Sequence, residues 1–466
     1  MRQRNLRWDL MRQVVLLSSV FVMMVNATAV IVVLPTIIDD FSIYSSTGHW
    51  LITAYFVTLA VVTPAVEQVC VRFSVRTFFM LGIVAFLIGT IAAALAPYFG
   101  VVLLARVVQA FGTAIMVVLA GSRRSRTIAS LLGLGLGPIV AGLVLSVATW
   151  HWIFWALVPL IMIIGLVGVL RLPKVGGAQD GSLDGFSAVL LACAFVALIY
   201  TLSDLSSVWV PPVVLLGLIA LGIFTIRQMQ QGRSYRALLD LGPMGFPMFV
   251  LSLVVLLALV AGMLGGMSLI ALYVQQAFKL SPLFTGALVA PLAVLPTVLW
   301  PVVSSMYARI GPRLLSVTGA LLVVGSFFWL SALERDAQLW IVAVIVAVCS
   351  LGLAMAFAPL RAAAMETLPA TLQPSGSRWL ATLLPLGGAA GIAVMSGWYW
   401  QVVNGITDLT LSKVATFAGN VTFFDAGLLG LLPLVLALFI TRRPPNGNDD
   451  PQALGPTTTP TDRRSH

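Results

Sequence analysis

Arg106 occupies the most chemically demanding position in this chain. It lies about seven residues into an apolar run that begins near residue 99, roughly 10 Å along a helix at 1.5 Å per residue. A guanidinium at that depth is costly unless it meets a partner or a water-filled cavity, which makes it a functional candidate; the alternative is a structural tie between helix ends. Gln109 follows one turn later on the same face. Carboxylates stand near the ends of other apolar runs, at Glu67 and Asp425, with Asp39, Asp40, Asp204 and Glu366 in the connections. An acid at a protein-buried helix end is suited to proton exchange, whereas one that snorkels into the interface is not. Glu67 is the strongest of these candidates. His49 opens another run at its outer mouth and carries a side chain able to titrate near neutral pH, though the favoured role there is an interfacial spectator. No metal, phosphate or nucleophile motif is visible, and Cys70, Cys193 and Cys349 stand singly in apolar segments. Ser, His and Asp do not gather, so the chain reads as a non-enzyme with no metal or cofactor.

The elements that must position these residues follow from composition. Of 466 residues, 60% are apolar and 9% charged, and the mean hydropathy is +1.04. A soluble domain carries about 25% charged residues. Such a chain belongs in a bilayer, where each spanning helix needs roughly 20 apolar residues. Fourteen runs satisfy this, near 13–35, 48–70, 77–97, 99–121, 128–149, 151–170, 186–203, 208–228, 247–275, 283–306, 314–333, 338–358, 379–400 and 422–441. Fourteen crossings from a cytoplasmic N-terminus put twenty-two Lys and Arg inside and three outside, with Arg106 within a run. That asymmetry is the positive-inside pattern, and it places both termini in the cytoplasm. The net charge of +10 therefore reflects topology. Nucleic-acid binding is a poor explanation, because the charges are scattered through short loops.

The chain repeats itself. Pro64, Val66, Arg72, Arg76 and Gly82 recur 237 positions later as Pro301, Val303, Arg309, Arg313 and Gly319. Each set spans a helix, a basic turn and the next helix, so an internal duplication is expected. Six helices need about 180 residues at roughly 30 each, and the larger offset leaves space for two more. The expected organisation is an all-α polytopic membrane protein. A six-helix bundle over 1–172 precedes a two-helix insert with polar linkers over 173–245. A second six-helix bundle over 246–442 and a disordered tail over 443–466 complete it.

Several segments resemble the major facilitator superfamily of transporters. Leu104–Gly112, LARVVQAFG, looks like that family's fourth-helix signature, and Gly133–Gly142, GLGLGPIVAG, like its fifth-helix antiporter motif. Trp150–Phe154, Thr28–Pro35, Trp50–Tyr55, Tyr273–Gln276, Ser281-Pro282 with Gly286, and Gly311-Pro312-Arg313 also fit. With fourteen helices the resemblance points to the drug:proton antiporter branch, and within it to the lincomycin-resistance type. It implies the major facilitator fold, proton handling by Arg106, and a latch between the halves at the basic turns of Arg72, Arg76, Arg309, Gly311 and Arg313. It further implies that Gly133, Gly137, Pro138 and Gly142 seal the path between bundles; independently, Gly133, Gly137 and Ala141 form a small-residue packing stripe. Pro138 should bend its helix. The chain departs from the family in three places. Glu67 and Val71 stand where the first basic turn has glycine and aspartate; Asn26 stands where many relatives carry a first-helix aspartate; and the segment between Ala120 and Gly135 is short, with only GSRRSRT left for the loop.

These readings converge on a bacterial inner-membrane exporter of amphiphilic small molecules, exchanging them for protons by alternating access. A monomer is expected. The proton-coupling candidates are Arg106, Glu67, Gln109 and Asp425. Midplane pocket candidates are Asn26, Thr53, Tyr55, Met263, Met267, Tyr273, Gln275 and Trp379. Few acids line that path, which favours neutral, zwitterionic or anionic substrates over polycations. Two alternatives stand beside this reading: an uncoupled facilitator or lipid exporter, and a degenerate, non-transporting paralogue.

Overall fold

Apolar runs this long leave the backbone no partner except itself, so they close into helices. The structure, a computed structural model, describes residues 2–121, 124–174, 184–232, 237–334, 337–406 and 411–440. The expected tail over 443–466 lies outside the described residues, as does most of the first linker. Eight long helices, with the single helical turn Ser45–Gly48 between the first two, make the first part of the chain: α1 Arg2–Phe41, α2 Trp50–Cys70, α3 Val75–Ala94, α4 Phe99–Leu119, α5 Arg124–Leu145, α6 His151–Arg171, α7 Gly185–Ser203 and α8 Val210–Gly232. Then follow α9 Pro247–Gln276, the segmented α10 (Pro282–Val289, Pro291–Val298 and Trp300–Ile310), α11 Pro312–Ser331, α12 Leu339–Glu366, α13 Gln373–Gly405 and α14 Leu411–Ala437.

Local chemistry sets several boundaries. Ser74 accepts from the backbone N–H of Thr77 and caps α3. In the second basic turn Gly311, at φ +87°, reverses the chain and Pro312 opens α11. The run at 283–306 is not one straight helix, because Pro291, Pro296 and Pro301 each remove a donor. The axis bends 53° between Val298 and Trp300, where the ring of Pro301 displaces the carbonyl of Thr297. Helix α14 begins eleven residues before the apolar run at 422–441, since Lys413 and Asn420 dilute the hydropathy without interrupting the helix.

Helix neighbours repeat with a period of eight. The pairs α1/α5, α2/α4, α3/α4 and α3/α6 recur as α9/α13, α10/α12, α11/α12 and α11/α14. Between the halves, α2 packs on α13 and, symmetrically, α10 packs on α5. This is the two-fold arrangement foreshadowed by the repeat. The pair α7/α8 lies outside it and rests on α2 and α13 together, across one of the two seams. Successive helices alternate in direction. The turns with Arg72 and Arg309 mark one end, the basic end; Tyr98 and Trp150 mark the other.

Candidate functional site

Arg106 is fully buried in α4, and its fork is occupied on all sides. Its Nε donates to the Leu51 carbonyl at 3.0 Å, and Nη2 donates to the Ala27 carbonyl at 3.0 Å. Nη1 donates to the Asn26 carbonyl at 3.2 Å and to Gln109 Oε1 at 3.1 Å. The guanidinium carbon stands 4.3 Å from the centroid of the Tyr55 ring. Gln109 extends the network: its Oε1 accepts from Asn26 Nδ2 at 3.0 Å and its Nε2 donates to Thr90 at 3.1 Å. Tyr55 and Thr113 share a hydroxyl contact at 2.7 Å. Three helices, α1, α2 and α4, thus meet at one cation, and α3 joins the network through Gln109. Among the described residues no carboxylate pairs with it. Asn26 Oδ1 is buried without a donor.

A second charged group bridges the halves at the basic end. Glu67, at the end of α2, meets Arg378, at the start of α13, at 2.8 Å. Arg361 of α12 donates through Nη1 to Thr127 of α5. Arg124 of α5 stands 5.5 Å from the ring centroid of Trp300 in α10. Arg126 donates to the Val117 carbonyl at 3.2 Å. Directly beyond these contacts lies a cavity of about 130 Å³ between the halves. Phe56, Leu59, Leu134, Met263, Phe357 and Leu384 supply much of its apolar wall. Its polar lining is Thr63, Arg126, Thr127, Ser130 and Arg361, with no carboxylate. A drug-sized ligand needs roughly 300 Å³ or more, so the halves must part to admit one. A separate cavity of about 160 Å³ sits wholly within the second half among α9, α11, α13 and α14, with Thr422 as its one hydroxyl.

At the opposite end the glycines of α5 divide between two faces. A Cβ on Gly133 or Gly137 would strike α1, at Phe21, Met24, Val25 and Thr28. A Cβ on Gly142 would lie 2.5 Å from the Pro282 carbonyl in α10, and one on Gly286 would strike the Pro138 carbonyl. The sequence stripe is therefore both internal packing and part of the contact between halves. Pro138 cannot donate to the Leu134 carbonyl four residues before it; the Thr28 hydroxyl supplies that bond at 2.7 Å. Gln275 adds a second link between halves, to the Val32 carbonyl at 3.3 Å.

The remaining sequence candidates have distinct settings. Of the eight proposed pocket residues, Met263 lines the central cavity. Asn26 and Tyr55 belong to the Arg106 network, and Met267 is buried in α9. Thr53 bonds back to the His49 carbonyl at 3.3 Å. Tyr273 packs edge-on against Phe278 and Phe423, inside the second half. Trp379 donates to the Asp240 carbonyl at 2.7 Å and pins the linker to the start of α13. Asp425 is half-buried in α14, away from the central cavity. Arg72, Arg309 and Arg313 are exposed at the basic turns, while Arg76 is half-buried. His49 requires a correction: it does not titrate near neutrality. It is buried against the insert, 2.9 Å from Ser203, and burial pushes its pKa down to about 4. Ser203 donates its hydroxyl to Ile199, so His49 Nε2 carries the proton of this contact.

Sequence reasoning missed Arg126 and Arg361, which it counted as loop charges. The signal was present in AFAPLRAAAME, where small and apolar residues continue past Pro359 and carry Arg361 along the same helix.

The profile of the Major Facilitator Superfamily matches residues 16–392. The chain is 27% identical over 452 residues to lincomycin resistance protein LmrB of Listeria monocytogenes, covering 91% of this chain and 95% of that one. It is 26% identical to a multidrug resistance protein B homolog of Mycobacterium tuberculosis, covering 80% and 73%. Among solved structures, a peptide transporter bound to alafosfalin superposes with a TM-score of 0.63 at 17% identity, covering 91% and 94%. A human organic anion transporter superposes with a TM-score of 0.58 at 15% identity, covering 92% and 99%. At these identities the two structures speak to the fold alone.

Proposed function

The chain belongs to the major facilitator superfamily, and from that premise we propose that it exports amphiphilic small molecules across the bacterial inner membrane in exchange for protons. The observation that carries this reading is the cavity between the two halves, apolar over most of its wall, with the Glu67–Arg378 pair bridging the halves at the basic end. In this reading the basic end faces the cytoplasm, as the arginine asymmetry requires. Substrate enters when the basic-end contacts part, and leaves when the contacts of Gly142 and Gly286 part at the other end. The similarity to lincomycin and multidrug resistance proteins supports drug-like substrates.

Glu67 is the coupling carboxylate in this account. Its proton state decides whether the charge pair with Arg378 holds the basic end shut. Arg106 positions the network beneath the pocket and ties α1, α2 and α4 into one body. An uncoupled facilitator is the second reading, favoured by the cavity wall that holds two arginines and no acid.

Flux of labelled lincomycin and a panel of amphiphilic drugs in proteoliposomes separates these readings. Uptake accelerated by an imposed pH gradient, and made insensitive to it by Glu67→Gln, supports exchange. Uptake indifferent to the gradient supports the facilitator. No flux of any compound by folded, inserted protein rejects transport.

A further inference from the structure

The geometry points to Arg126 and Arg361 as a two-armed receptor for an anionic headgroup, so that the substrate class of this transporter is the amphiphilic anion. The inference rests on the transport reading above and narrows it.

The two arginines line one cavity from opposite halves, Arg126 from α5 and Arg361 from α12. Among the described residues neither has a carboxylate within 4.0 Å. Glu67 is held by Arg378 at 2.8 Å, and its charge, beyond ion-pair distance, also acts on Arg126. Other acids of this end are engaged elsewhere: Glu366 accepts from Tyr307, and Asp240 accepts from Ser375. Three cations against one anion leave the basic mouth of an apolar cavity with excess positive charge. Two like charges facing one poorly hydrated space repel each other, and an anion placed between them converts that repulsion into attraction. The donors for it are present. Each guanidinium carries five N–H groups, and among the described residues each gives a single protein hydrogen bond, Arg126 to Val117 and Arg361 to Thr127. The fork suits a carboxylate, sulfonate or phosphate. Thr127 and Ser130 stand beside it, and Phe56, Leu59, Met263 and Phe357 offer the tail an apolar wall.

Because the two arms come from different halves, the headgroup also acts on the conformational equilibrium. Bound anion draws α5 and α12 together and favours closure at the basic end. Without it the like charges are opposed, and only Arg361–Thr127 and Glu67–Arg378 hold this end, so closure is favoured less.

A matched pair of probes tests this: anilinonaphthalene sulfonate, and its neutral parent phenylnaphthylamine, which lacks the sulfonate. Binding is measured on the full-length protein in phosphatidylcholine nanodiscs, with empty nanodiscs subtracted. The proposal expects the sulfonate to bind at least about tenfold tighter than the neutral parent. Arg126→Gln with Arg361→Gln should remove that advantage, bringing the two probes to about equal affinity. Arg126→Lys with Arg361→Lys should keep most of it, and covers the case in which the glutamine pair does not fold. Equal binding of the two probes by wild type, or an advantage that survives the glutamine pair, overturns the proposal. A parallel flux assay keeps the two ideas apart. If neutral or cationic drugs are carried and the sulfonate is neither bound nor carried, transport stands and this inference falls. If nothing is carried, transport falls, and the binding comparison still decides the headgroup site.

Discussion

From a fully buried position Arg106 donates to three backbone carbonyls of α1 and α2 and to the Gln109 amide, adding second bonds to carbonyls already paired within their helices. Removing it forfeits four charge-assisted hydrogen bonds, each worth about 1.5–3 kcal/mol before the relief of guanidinium desolvation is set against them, and leaves a cavity where α1, α2 and α4 meet. Arg106→Ala should therefore cost about 3 kcal/mol or more, read as a large fall in Tm of the detergent-solubilised protein. Arg106→Lys should fare little better, since one ammonium cannot reach Leu51, Asn26, Ala27 and Gln109 from a single point. Retention of wild-type Tm by either variant contradicts this account of the residue. The importance of Arg106 was legible from its depth in an apolar run. Its partners were not, because carbonyl acceptors leave no trace in side-chain identity. Glu67 was legible as a helix-end acid, but its partner lies 311 positions away and only the packing of α2 on α13 brings the two together.

At the scale of elements, the insert α7/α8 behaves as a brace rather than a spectator. It contacts α2 and α13 across one seam, with His49–Ser203 at one end and Gln68 accepting from the Asp184 backbone N–H at the other. The His49 contact is pH-dependent in a defined direction. Its folded pKa, about 4, lies below the ordinary 6.5, so burial of the neutral ring contributes fully above pH 6.5. That contribution is lost as pH falls from 6.5 towards 4, because the unfolded form takes up the proton first. Tm should drop between pH 7 and pH 5, and His49→Gln should flatten this part of the profile; a wild-type slope in the variant contradicts it. The opposite-end seam makes a second element-level prediction. Gly286→Leu places a side chain against the Pro138 carbonyl, where even a Cβ does not fit. Overpacking of this kind costs about 1–3 kcal/mol, and separation of α5 from α10 relieves it. Spin-label distances across that seam should lengthen in the variant, while unchanged distances refute a close contact there. Helix number and most boundaries were legible from hydropathy. The bend of α10 was encoded by its three prolines, yet a window average reads them as one continuous run.

For the molecule as a whole, the repeat at 237 positions became a physical symmetry, in which neighbours recur eight helices on. The symmetry is broken where α4 and α5 meet. These helices have 21 and 22 residues, against 28 and 33 for their counterparts α12 and α13. The short segment read from the sequence thus leaves two full spans, with Gly121 at φ +69° just past the end of α4. It also brings Arg126 to the wall of the cavity and Arg124 over the Trp300 ring, instead of into a long loop. Sequence alone located the charge but not the cavity, since that site forms only where both halves converge. The central claim is exchange of drug for proton through the seam guarded by Glu67. The most direct test is drug-induced collapse of an imposed pH gradient in everted membrane vesicles, comparing wild type with Glu67→Gln. The account predicts that amphiphilic drugs collapse the gradient in wild type, and that the glutamine variant, expressed to the same level, abolishes the effect. A gradient untouched by every compound, or collapsed equally by both proteins, would contradict it.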